Sequence, residues 1–175
     1  MQHEVKPSWI LALLLFSQFG FWSGCESSEA QKLNSLKVSL VSAQEPASPK
    51  TIAEAKEKIA ETTDVVIRGV IKARDLDPFE KNKSIFIVTD IIEDEHGGDP
   101  NHKPDDCPFC KHRAENAAMA QVRLVDDKGT PHPYSAADLL NVKEGDVVVV
   151  AGSATFDEAV DLFSITAKQV YVAKK

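Results

Sequence analysis

Period-two alternation of apolar and polar residues recurs through the C-terminal part of this chain, and such a chain must bury one face of several strands against itself. Asp64 to Arg74 sets Val65, Ile67, Gly69, Ile71 and Ala73 on one side and Arg68, Lys72 and Arg74 on the other. Gly69 suits a bend or a bulge within that strand. After a turn from Asp77-Pro78 to Lys83, Ser84 to Ile92 is nearly continuous in Ile, Phe and Val and predicts a well-buried second strand. Met119 to Val125 alternates again and stops at the turn Asp126-Asp127-Lys128-Gly129. Val147 to Gly152 and Leu162 to Ala173 make a fourth and a fifth strand. Two short helices are expected between these elements. Thr51-Ile52-Ala53-Glu54 has capping-box spacing and opens a lead-in helix ending near Thr62. Ser135 to Leu140 opens the other, closed by the turn signal Val142 to Asp146. The expected class is all-β with short helices.

The order strand, strand, strand, helix, strand, strand over residues 64 to 173 resembles the OB-fold. Gly69 inside the first strand, Lys143-Glu144-Gly145-Asp146-Val147 before the fourth and Ala167-Lys168-Gln169-Val170-Tyr171 in the last carry the resemblance. It implies a five-stranded OB-fold-like barrel. OB-folds bind oligonucleotides, proteins, haem or metals, or serve as scaffolds, so fold alone names no function.

From Trp9 to Trp22 the chain is apolar except for Ser17 and Gln18. That length is too short to cross a hydrocarbon core of about 30 Å at about 1.5 Å per residue, and it fits the apolar region of a signal peptide. Ser23-Gly24-Cys25 resembles the lipobox of bacterial lipoproteins, with Trp22 where that family usually has Leu. The resemblance implies that residues 1–24 are a lipoprotein-type signal peptide and that Cys25 becomes the lipidated first residue. The protein would then be exported and lipid-anchored to a membrane on its periplasmic or extracellular side, with an envelope protein as the expected partner. A plain secreted chain and an uncleaved anchor are the alternatives. Residues 25–50, with Ser27, Ser28, Pro46, Ser48 and Pro49, hold few apolar residues and predict a disordered tether. Residues 51–175 are left as the OB-fold-like domain.

The chain carries a formal charge of −7, and removing residues 1–24 takes away Glu4 and Lys6 together and leaves that value unchanged. Such a balance argues against nucleic acid as a partner, because phosphates demand a basic footprint. Arg68, Lys72, Arg74 and Arg123 form the one candidate face for a single strand of nucleic acid. They lack clear aromatic partners for stacked bases. Asp90, Glu93, Asp94, Glu95, Asp99, Asp105 and Asp106 make the centre of the chain the most acidic part, which attracts cations rather than phosphates.

That acidic centre also holds His96, His102, Cys107, Cys110 and His112 in an insertion at about 94–118, between the second and third strands. A C-x-x-C pair places two thiolates around one soft ion, and imidazoles from a flanking loop can complete the tetrahedron that zinc prefers. If Pro108 begins a helix, Cys110 and His112 point about 200° apart around its axis. Cys107, Cys110 and His102 are therefore the leading ligands for zinc or a similar soft transition-metal ion, with His96 fourth and His112 a substitute if the helix begins later. Cys107-Pro108-Phe109-Cys110 also resembles the active-site tetrapeptide of glutaredoxins, although that family sets the motif after the first strand of a parallel sheet. Two alternatives follow: a structural disulfide, which oxidising compartments permit, and a thiol-disulfide oxidoreductase with Cys107 attacking and Cys110 resolving. Nothing resembles a phosphate-binding glycine loop, a serine nucleophile elbow or an HExxH helix, so no catalytic residue is assigned outside the Cys/His window. The CPFC-bearing insertion on an OB-like domain resembles small bacterial lipoproteins of uncharacterised type. The expected function is a membrane-anchored binding or accessory protein rather than an enzyme.

Overall fold

A computed structural model describes residues 28–92, 103 and 106–173. The chain runs α1 (Ser28–Leu40), α2 (Ile52–Glu57), β1 (Asp64–Ile71), β2 (Ile85–Thr89), α3 (Pro108–Glu115), β3 (Met119–Arg123), α4 (Ala136–Leu140), β4 (Val147–Asp157) and β5 (Leu162–Val172). The five strands make one mixed sheet that closes into a ring in the order β1-β2-β3-β5-β4. All contacts are antiparallel except β3 with β5, which run parallel through Gln121↔Ser164, Val122↔Ile165 and Arg123↔Thr166. β1 serves two neighbours, pairing with β4 from Asp64 to Val70 and with β2 at Val70 and Ile71.

Alternation decides which side chains fill the ring. Val65, Ile67, Ile71, Phe86, Val88, Val122, Val148, Val150, Phe163 and Ile165 are buried in one core with Leu139 of α4 and Ile52 of α2. Both helices contribute to it from the strand ends. α4 joins the end of β3 to the start of β4, while α2 lies by the β4–β5 turn, where its Lys56 pairs with Asp161 at 2.5 Å. The ring thus has an α4 end and an α2 end.

The second strand differs from its expected character. Phe86 and Val88 point inward, but Ile85 and Ile87 are only half-buried, so β2 is a one-faced strand rather than a strand enclosed on both sides. β4 is longer than expected and reaches Asp157. The lead-in helix is shorter, ending at Glu57 before a turn.

The largest difference is at the N-terminus. The composition of residues 25–50 predicts a disordered tether, yet Ser28–Leu40 is a helix with Leu40 buried in the core and Leu33 and Leu36 packed against it. Their spacing of three and four residues puts all three on one helix face, so three leucines suffice to dock a polar segment. Beyond α1, Val41 bridges to Val170 on β5, and Lys50 bridges to Ile67 on β1. The chain from Val41 to Lys50 therefore forms a strap tied to the two strands that flank β4. Val149 of β4 stands in register with Arg68 and Tyr171, does not belong to the interior cluster, and is 0% exposed. Arg68 in that outward row pairs with Glu45 of the strap at 2.6 Å, which accounts for a buried valine on an outer face. No helix among the described residues is long and apolar enough to cross a membrane.

Two glycines permit close strand approach. A Cβ at Gly69 would lie 2.5 Å from Val88 Cγ1 and 2.7 Å from the Thr89 carbonyl oxygen. At Gly152, beside the register shift in β4, it would overlap the Thr166 carbonyl oxygen and lie 2.9 Å from Ala167 Cα. A side chain at Val88 can turn aside more readily than backbone can. Gly69→Ala is expected to cost about 1–3 kcal/mol in urea unfolding, within the range for overpacking, and Gly152→Ala more than Gly69→Ala.

Candidate functional site

The insertion leaves the ring at a defined neck. Thr89 pairs with Met119, and the Asp90 N–H donates to the Ala118 carbonyl at 2.9 Å. Asp90 also turns its carboxylate onto α2, accepting from the Ile52 N–H at 2.5 Å and the Ala53 N–H at 3.1 Å. The capping box supplies the rest: Glu54 N–H donates to Thr51 Oγ1 at 3.1 Å, and Thr51 N–H donates to Glu54 Oε2 at 3.0 Å. A helix start leaves several N–H groups without partners, and here each from Thr51 to Glu54 is satisfied. The Thr51 N–H holds the Glu54 carboxyl below its usual range. Asp90, placed by sequence among the cation-attracting acids, is instead the clamp between the insertion neck and the lead-in helix. Its apolar neighbours and distance in sequence from Thr51 give no local signal of that role.

The thiol pair follows at the head of α3. Asp106 and Cys107 N–H groups donate to the Lys103 carbonyl at 3.0 and 3.2 Å, making a turn that delivers the chain to the helix. Pro108 at the start of α3 costs no hydrogen bond, since the first helical N–H lacks an intrahelical partner anyway. Cys107 is the N-cap, and Cys110 stands three positions later in the same first turn. Residues three apart in a helix lie about 60° apart around its axis, so the two thiols share one side of α3. Both are half-buried, while the intervening Phe109 is 78% exposed.

His112 lies two residues beyond Cys110 in the same helix, about 200° around from it. Its imidazole Nε2 stands 3.3 Å from Asn116 Nδ2, and its carbonyl accepts from the same amide at 2.7 Å. α3 begins at Pro108, so the condition under which His112 would substitute as a ligand is not met. His96, His102 and Cys25 lie outside the described residues. Among the described residues no three His, Cys, Asp or Glu side chains converge on one point.

The four basic residues of the candidate nucleic-acid face have separate surroundings. Arg68 is paired with Glu45 of the strap. Arg123 reaches the Gly129 carbonyl at 3.5 Å. Lys72 is exposed, and its carbonyl accepts from Thr89 Oγ1 at 2.6 Å. Arg74 lies past β1 with φ 52°, beside a shallow hollow of about 480 Å³ that also presents Asp75, Asp77 and Glu144. Phe86 is 0% exposed and packs against Phe79 with ring centroids 6.4 Å apart, so it offers no face to a base. No family model matches the chain, and no curated protein matches its sequence.

Asp90→Ala removes both acceptors at the α2 start and is expected to cost about 1–2 kcal/mol, the range for a lost N-cap. Asp90→Asn, which keeps one acceptor oxygen, should cost less. Glu54 has its folded-state pKa depressed, so its contribution is present at higher pH and is lost as pH falls through its folded pKa. Urea unfolding of Glu54→Gln beside the parent chain should show a smaller acid-side loss in the variant.

Proposed function

We propose that this chain is an exported, lipid-anchored OB-fold binding or accessory protein whose insertion holds zinc or a similar soft ion through Cys107, Cys110, His102 and His96. The ring order β1-β2-β3-β5-β4, with β3 and β5 parallel and a helix between β3 and β4, supports the OB-fold reading. The observation that carries the metal reading is the placement of Cys107 and Cys110 on one side of the first turn of α3. Two thiolates so held need only one or two imidazoles from the preceding loop to complete a tetrahedron. The ion would clamp that loop against α3. Membrane attachment rests on the resemblance of Ser23-Gly24-Cys25 to a lipobox.

A second reading is favoured by one feature of the same geometry. Cys107 sits at the N-terminus of α3, where backbone N–H groups and the helix dipole stabilise a thiolate. A thiol-disulfide oxidoreductase would use Cys107 to attack a substrate disulfide and Cys110 to resolve the mixed disulfide. The arrangement of Arg68, Arg74 and Arg123 gives no corresponding support to a nucleic-acid interface.

One sample separates the readings. Residues 26–175, purified without chelator, are expected to carry about one zinc per chain, with both thiols reactive only after chelator is added. Cys107→Ser and Cys110→Ser should each lower the affinity for zinc at least tenfold, while His112→Ala leaves it within twofold. Absence of bound metal together with no affinity for added zinc would overturn the metal reading. Insulin reduction that depends on Cys107 would establish the redox reading in its place.

A further inference from the structure

We infer that the α4 end of the ring lies against the bilayer and that the insertion neck, with α2 and the β4–β5 turn, stands at the opposite end, away from the lipid. The inference rests on the lipid anchor at Cys25 proposed above. It adds an orientation, which follows from where the chain first becomes part of the folded body.

Cys25 precedes Ser28, the first residue of α1, by three positions. Three residues span at most about 10 Å when fully extended. A flexible tether of some twenty-five residues would let the domain tumble freely, but α1 is docked: Leu40 is in the core, and Leu33 and Leu36 pack against it. α1 packs on α4 and β5. The C-terminal half of β5, beside which Val41 sits, pairs with the start of β4 that follows α4. The anchor therefore pulls on the α4 end.

The insertion emerges from the other end. Its neck joins the end of β2 to the start of β3, and Asp90 in that neck caps α2. α2 in turn holds the β4–β5 turn through Lys56 and Asp161, with the Lys56 ammonium 4.4 Å from the centre of the Phe156 ring. β5 is 11 residues long and links the two ends. At about 3.3 Å per residue and a strand tilt near 45°, the ends are roughly 25 Å apart. Among the described residues of α1, α4 and the turn into β4, the membrane-side surface is nearly balanced in charge, with Lys32, Lys37 and Lys143 against Glu29, Asp138, Glu144 and Asp146. Its approach to lipid is thus set by the covalent anchor and should be insensitive to salt, unlike polybasic attachment.

The test uses protein produced with its own leader in a bacterial host that lipidates exported chains, mixed with phosphatidylcholine vesicles containing an acceptor-labelled lipid. In a chain carrying Cys107→Ser and Cys110→Ser, a donor dye is attached through Asp138→Cys on α4 or through Glu158→Cys in the β4–β5 turn. Energy transfer to the bilayer is expected to be at least threefold more efficient from position 138 than from 158, and equal in low and high salt. Inserting about twenty Gly/Ser residues between Ser27 and Ser28 should remove the difference, because such a linker lets the domain reorient. Protein that fails to float with the vesicles overturns the lipid anchor and with it the orientation. Protein that floats yet transfers equally from both positions overturns the orientation alone.

Discussion

Closure of a five-stranded sheet places the heaviest demand on this chain, because few strands must turn tightly and still hydrogen-bond at every seam. β1 meets that demand by serving β4 with most of its length and β2 with its last residues. The final seam, between β3 and β5, rests on three parallel residue pairs. Gly69 and Gly152 stand where neighbouring backbone or side chains approach too closely for any Cβ. With the ring closed, its two ends become separate surfaces. α4 and α1 occupy one end, while α2, the β4–β5 turn and the insertion neck share the other.

Much of that ring was legible in the sequence because alternation reports directly on which side chains face inward. Val65, Ile67 and Ile71 alternate with exposed Arg68 and Lys72, and Val122 lies between half-buried Gln121 and Arg123. The cap at Thr51 and the helix at Ser135 were equally local, each announced by a side chain that accepts from a nearby N–H. Ser84 to Ile92 misled because an apolar run does not distinguish a strand enclosed on both faces from one whose outer face is half-covered. The N-terminal helix was missed for a different reason. Its docking depends on Leu33, Leu36 and Leu40 within an otherwise polar stretch, and their value comes from a surface formed by α4 and β5, far away in sequence.

The strap illustrates the same limit. Val149 looks like an outward residue by register, and only the passage of residues 41–50 past β4 explains its burial. Of the candidate site, the described residues bear only on its local geometry. C-x-x-C spacing with Pro108 between the cysteines was enough to expect a helix start that brings two thiols together, and the geometric rule separating His112 from Cys110 follows from that same start. Asp90 could not be assigned from sequence, since a carboxylate that caps a helix nearly forty residues away leaves no local trace. It links the insertion, the lead-in helix and, through Lys56, the β4–β5 turn into one end of the ring.

The insertion that leaves from that end carries the proposed function, whose claim is chemical: two sulfur atoms at the head of α3 would share one ion. Zinc K-edge X-ray absorption of the metal-loaded protein addresses this most directly. The account predicts two sulfur ligands at about 2.3 Å, with the remaining positions filled by nitrogen at about 2.0–2.1 Å. A coordination shell of nitrogen and oxygen alone would contradict it and remove Cys107 and Cys110 from the site.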